Sequence, residues 1–111
     1  MYAIKWTDKF ESWINRLRDS STRIRLLRRL EKAQRGLLGD VRPVGDGIFE
    51  MREFFGPGWR MYYIQCGDQL IIMLGGGDKS SQADDIESAK HLAAQLWEAE
   101  YGNEIKASEF D

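Results

Sequence analysis

The chain has 111 residues, 42% of them hydrophobic and 12% aromatic, with a formal net charge of -2; that supplies one compact domain over 1–111 and is too little for two. Its lone cysteine, Cys66, excludes an internal disulfide framework, and with no Cys/His cluster beside it neither a metal site nor a cofactor is expected. No stretch near the N-terminus is apolar for long enough to act as a secretion signal or membrane span, so the expectation is a cytoplasmic protein in a reducing compartment.

In chain order, Ala3 to Trp6 predicts a short strand, and Asp8 with Glu11 three residues later predicts the capped start of a first helix. Phe10, Trp13, Ile14 and Leu17 recur at i, i+3, i+4 and i+7, which names the buried face of that helix. The cluster Asp19-Ser20-Ser21-Thr22 offers turn and cap chemistry before a second helix from about Arg23 to Leu37. Its expected core stripe is Leu26, Leu30, Ala33 and Leu37, with Ile24 and Leu27 alongside, and the short connection implies an antiparallel helical hairpin.

Gly36 and Gly39 end the helical pattern, and Val41 to Gly47, which contains Pro43, reads as a loop or an edge strand. Ile48 to Phe55, Trp59 to Cys66 and Gln69 to Leu74 then predict three strands of an antiparallel meander, joined by Gly56-Pro57-Gly58 and by Gly67-Asp68. Leu70 to Leu74 is apolar without alternation, which places that strand inside the sheet with both faces covered. Gly75-Gly76-Gly77 reads as a turn before a third helix capped at Ser81 and Asp84, whose packing residues Ile86, Ala89, Ala93, Leu96 and Trp97 run towards Gly102-Asn103. Residues from about 104 to 111 are expected to be a flexible acidic tail.

Charge is unevenly spread along this framework. Met1 to Gln82 carries 14 basic against 10 acidic residues, whereas Ala83 to Asp111 carries 2 against 8. A basic body therefore stands beside an acidic end, and nucleic-acid binding depends on that local positive footprint rather than on the overall charge.

Three clusters carry possible chemistry. Arg25, Arg28, Lys32 and Arg35 share one side of the second helix, flanked by Arg23 and Arg29. Their mutual repulsion is relieved either by a phosphate backbone or simply by solvent. Around the hairpin, Arg60 follows a glycine turn in a strand, where its planar fork can be aimed at two phosphate oxygens. Arg52 and Glu50 on the preceding strand are either part of that site or an ordinary cross-strand pair. Third, the segment Gly75 to Gln82 can turn backbone N–H groups and Lys79 towards a phosphate, or can be a plain chain reversal; its spacing is not that of a nucleotide-binding Walker loop. His91, the single histidine, falls inside the third helix as a surface or packing residue, with no nucleophilic triad around it.

The succession of strand, basic helical pair, meander and terminal helix resembles the RelE/ParE toxin superfamily, and within it the HigB-like addiction-module killer proteins. Four fragments carry the resemblance: Phe10 to Leu17; Gly39-Asp40 with Val44-Gly45; Glu50-Met51-Arg52 followed by Gly56-Pro57-Gly58-Trp59-Arg60-Met61-Tyr62-Tyr63; and Gly76-Gly77-Asp78-Lys79-Ser80-Ser81-Gln82 with Asp85-Ile86. They extend to about Leu96, and the last two are the specific ones. The resemblance implies an α+β RelE-like fold with the terminal helix packed on the sheet. It also implies the toxin half of a type II toxin–antitoxin pair: a ribosome-dependent mRNA endoribonuclease that inhibits translation and arrests growth.

In that chemistry the 2′-hydroxyl attacks the adjacent phosphate, so the protein stabilises extra negative charge and moves a proton. Arg60 and Lys79 match basic positions of the family, Arg52 is a neighbouring phosphate ligand, and the base is open among Glu50, Asp85 and a ribosomal group. Arg25, Arg28, Arg29, Lys32 and Arg35 would bind RNA or the ribosome. The implied partners are a helix-turn-helix, HigA-like antitoxin, with which the toxin could sit on operator DNA, and the ribosome with its mRNA; no membrane is involved.

The chain departs from the RelE pattern in two places. It has Ile48 and Glu50 where relatives carry lysines, and Asp84 or Asp85 where they carry a tyrosine. A ParE-like inhibitor of DNA gyrase and a non-enzymatic co-repressor acting with the antitoxin are the alternatives.

Overall fold

A computed structural model describes residues 1–102. It comprises β1 (Ala3–Trp6), α1 (Asp8–Asn15), α2 (Ser20–Gln34), β2 (Val41–Gly45), β3 (Ile48–Arg52), β4 (Arg60–Cys66), β5 (Leu70–Gly77), a short 3-10 turn (Lys79–Ser81), α3 (Gln82–Leu96) and a final π-helical turn (Trp97–Gly102). The fold is α+β, with one five-stranded mixed sheet in the order β1-β5-β4-β3-β2. The meander is antiparallel throughout, but β1 runs parallel to β5, with Ala3 opposite Leu70 and Trp6 opposite Met73. Local pattern alone does not contain this pairing, which ties the start of the chain to its last strand. The acidic tail expected from about 104 lies outside the described residues.

The sheet separates two cores. On one face Phe10 and Ile14 of α1 and Leu26, Leu30 and Ala33 of α2 pack with Met51, Met61, Tyr63, Ile71 and Met73. On the other, Ala89 of α3 packs with Ile48, Tyr62, Ile72 and Leu74, joined by half-buried Ile86, Ala93 and Leu96. Residues of β5 alternate between the two cores, which explains its unbroken apolar run. Among the described residues no helix is long and apolar enough to cross a membrane.

Caps adjust the helix boundaries expected from periodicity. The cap of α1 is Thr7, whose hydroxyl accepts from the Phe10 N–H at 3.2 Å, so Asp8 and Glu11 fall in the first turn, beside the positive end of the helix dipole. Asp19 caps α2, accepting from the Ser21 N–H at 3.2 Å and the Thr22 hydroxyl at 2.9 Å, and starts the helix three residues before Arg23. Gly36, at φ +89°, closes the helix: its N–H reaches the Ala33 carbonyl at 2.9 Å and that of Leu37 reaches Lys32 at 3.0 Å. Leu37 therefore leaves the helix and is 59% exposed rather than core, and Ile24 is 48% exposed. The helical buried stripe instead runs Thr22, Leu26, Arg29, Leu30 and Ala33. Trp97 falls beyond α3, at the start of the π-helical turn, and is 52% exposed.

The three glycines expected to form a turn are strand residues of β5. A side chain on Gly76 would stand 2.5 Å from the Trp13 ring, and one on Gly77 would collide with the Asp85 carboxylate. These glycines let α1 and α3 approach the sheet from opposite sides. Chain reversal is done by Asp78, whose carboxylate accepts from the Ser80 N–H at 2.8 Å.

Candidate functional site

Strand alternation builds the site on the α3 face. In β3 and β4, Glu50 pairs with Tyr62 in register and Arg52 pairs with Arg60, which is itself opposite Gly77 of β5. Glu50 is wholly buried. Its carboxylate accepts from Arg42 Nε at 2.9 Å, the Tyr62 hydroxyl at 3.0 Å and Gln82 Nε2 at 2.9 Å, while Arg60 Nε lies 3.7 Å away. A buried carboxylate is tolerable only when charge and hydrogen bonds replace water, and two guanidiniums, a phenol and an amide do so here. Glu50 is thus a residue that positions Arg60, with no solvent access of its own. The Tyr62 hydroxyl is held in its neutral form: burial pushes its pKa up, and the Glu50 charge and hydrogen bond push it further.

Arg60 is 8% exposed. Its Nη1 donates to the Gly58 carbonyl at 2.7 Å, whereas its buried Nε has no hydrogen-bond partner among the described residues, the Glu50 oxygen at 3.7 Å being an ion pair beyond donor reach. Gly58, at φ +83°, leaves the room this requires, since a Cβ there would lie 3.0 Å from Arg60 Nη1 and 3.6 Å from Cβ of Lys79. Arg60 and Lys79 therefore stand against the same glycine, Lys79 being exposed. Asp78 borders them; hydrogen bonds from Ser80 hold its carboxyl below the ordinary value, with the Arg60 charge a smaller contribution. Asp85 Oδ2 accepts from the Ser81 hydroxyl at 2.6 Å and packs against Gly77. Arg52 Nη2 pairs with Asp40 Oδ1 at 3.1 Å, and its buried Nε has no hydrogen-bond partner among the described residues.

The sequence candidates Arg60, Glu50, Lys79 and Asp85 are thus gathered around the end of the central strand β4, with Arg52 opposite Arg60 on β3. The helix α2 candidates are divided. Arg29 is buried and does not face RNA: it donates to the carbonyls of Leu38, Arg52 and Asp40 at 2.8 to 3.1 Å and pairs with Glu53 at 3.1 Å. It satisfies the backbone where β3 ends and the chain enters β2, a structural role that periodicity alone misassigns. Arg25 lies 3.6 Å above the Phe55 ring, while Arg28, Lys32 and Arg35 remain exposed. Because α2 packs on the sheet face opposite Glu50 and Tyr62, its basic side meets the site only through the β3–β4 loop rather than converging on Arg60.

Tyr62, Gln82 and Arg42 are the members of the site that were not singled out in the sequence. Tyr62 was findable, two residues from Arg60 on the same strand face. Gln82 was not, because its partner Glu50 is 32 positions away.

Fold and site together define a small three-layer α+β protein with a buried carboxylate–guanidinium cluster on the inner strands β3 and β4 of its sheet. An uncharacterized protein of Haemophilus influenzae is 42% identical to it over 93 residues, 84% of this chain and 94% of that protein, and the chain belongs to the same family. No described protein family and no solved structure matches it.

Proposed function

We propose that this protein is the toxin of a type II toxin–antitoxin pair, a RelE-like ribosome-dependent endoribonuclease neutralised by a helix-turn-helix antitoxin. The observation that carries the reading is Arg60: nine-tenths buried, held by Gly58 and Glu50, with an Nε that lacks a hydrogen-bond partner among the described residues and the exposed Lys79 against the same glycine. A guanidinium whose position is set in advance stabilises charge that develops on a phosphate without reorganising during the reaction. In the step itself the 2′-oxygen bonds to phosphorus, the P–O5′ bond breaks, and the 2′ proton passes to a base while the 5′-oxygen gains one. Arg60 and Lys79 would neutralise the equatorial oxygens; Arg52 would hold a neighbouring phosphate.

The test is mapping of cuts on ribosome-bound mRNA with purified protein. Arg60→Ala should slow cleavage about a hundred- to thousand-fold, equivalent to about 3 to 4 kcal/mol, while remaining folded. An unaltered rate in a folded variant refutes the assignment. One observation favours a second reading, inhibition of DNA gyrase by binding: Glu50 is sealed and Asp85 is engaged by Ser81, so neither is a freely presented base. A supercoiling assay on the same preparation separates the two.

A further inference from the structure

We infer that Phe54, with Arg52 at its side, is a stacking platform for an unpaired nucleobase beside the phosphate site of Arg60 and Lys79; the identity of the ligand rests on the RNA reading above. The β3–β4 loop carries two adjacent phenylalanines with different environments. Phe55 is half-buried, packs against the core on the α1–α2 face and is covered by Arg25. Phe54 belongs to neither core and is 74% exposed. Packing thus accounts for one ring and not for the other.

The exposed ring is not on a loose loop tip. The Glu53 N–H reaches the Trp59 carbonyl at 2.9 Å and the Gly58 N–H reaches that of Phe55 at 3.2 Å, so the loop is pinched at its base and again within its turn. Arg52 Cζ sits 5.5 Å from the Phe54 ring centre, within cation–π range, and leaves most of the ring to solvent. Arg52 is also opposite Arg60 in register, so the ring and the phosphate-seeking cations share one end of the β3–β4 hairpin. An apolar π-face next to fixed positive charge matches a single-stranded nucleotide, whose base stacks while its phosphate takes the cations. Phe54 offers no donor or acceptor, so it would grip any base and leave discrimination to other groups.

Two measurements test this with the full chain. Binding of a labelled single-stranded oligoribonucleotide, followed by anisotropy, should weaken about tenfold or more in Phe54→Leu and be retained in Phe54→Tyr, because base–aromatic stacking is lost in the first and kept in the second. On programmed ribosomes, an abasic nucleotide at one codon position should slow the wild type and leave Phe54→Leu no slower than it already is. Equal RNA affinity of wild type and Phe54→Leu, or an equal abasic penalty in both, overturns the inference even where the wild type cuts mRNA. Conversely, absence of cleavage with the stacking-dependent affinity intact removes only the enzymatic reading. A Phe54→Leu protein that keeps its RNA affinity but loses a protein partner would assign the ring to that contact and overturn the inference as well.

Discussion

The carboxylate of Glu50, sealed from solvent, lies 3.7 Å from Nε of Arg60, and this ion pair orients a guanidinium that is itself buried and incompletely hydrogen-bonded among the described residues. The pair belongs to a network that also links β2 through Arg42, β4 through Tyr62 and α3 through Gln82. Stability and site geometry are therefore coupled at Glu50, and variants there should affect both.

Replacement of Glu50 by Ala leaves Arg60 without its buried ion-pair partner. Breaking a buried pair from one side costs about 3 to 5 kcal/mol, so urea denaturation should detect a loss near the lower end, since half-exposed Arg42 can turn to water. Glu50→Gln, which keeps the shape and one acceptor, should lose less stability. A Glu50→Ala protein as stable as the wild type would show that the network is not a support.

The basic side of α2 separates into structural and surface residues. Arg29→Ala strips donors from three backbone carbonyls and should cost at least about 2 kcal/mol, because hydrogen bonds to charged groups contribute about 1.5 to 3 kcal/mol each. Arg28→Ala, on the exposed side, should change stability by less than about 0.5 kcal/mol and reduce the salt dependence of RNA binding by about one charge. Thermal melts beside salt titrations of binding compare the two; equal effects of both substitutions on stability would contradict the division.

Gly76→Ala places a methyl 2.5 Å from the Trp13 ring, and the strand cannot shift without disturbing its pairing to Met61. Overpacking of this kind costs about 1 to 3 kcal/mol. Denaturation of Gly76→Ala should show that loss, and Trp13→Leu in the same chain should recover part of it by removing the obstructing ring. Additive losses in the double variant would exclude this contact as the cause.

Tyr62 sets an alkaline limit. Its folded-state pKa is raised above the ordinary value of 10, chiefly by burial, so the unfolded chain gives up that proton first. The contribution is fully present below about pH 10 and declines as pH rises from there towards the folded-state value. Tyr62→Phe removes the hydroxyl donor to Glu50, should cost about 1 to 2 kcal/mol at neutral pH, and should flatten the fall in stability above pH 10. Stability curves of the two proteins that run parallel into the alkaline range would disprove this coupling.

Much of the architecture was legible because its signals are local. Ala3 to Trp6 is a strand as read, the α1 stripe is buried through Phe10 and Ile14, Pro43 does mark an edge strand, and β5 lies inside the sheet. Errors arose where a residue's partner is distant. Gly75 to Gly77 resemble a turn until Trp13 and Asp85 are brought against the strand, and Arg29 resembles surface charge until the carbonyls of Leu38, Asp40 and Arg52 meet it. At the site, Arg60, Lys79 and Glu50 were legible as a set from the fragments that hold them, but not their division of labour.

Taken alone, the amino-acid sequence determined the kind and order of the elements and the apolar faces they must bury, since caps, turns and side-chain periods act over a few residues. Only the tertiary structure decided that β1 joins β5 in parallel, that Gln82 closes on Glu50, and that Phe54 rather than Phe55 is left outside the core. Those outcomes depend on how the two sides of the sheet are filled at once, and burial of a charge or exposure of a ring is settled by every neighbour that arrives, not by spacing along the chain.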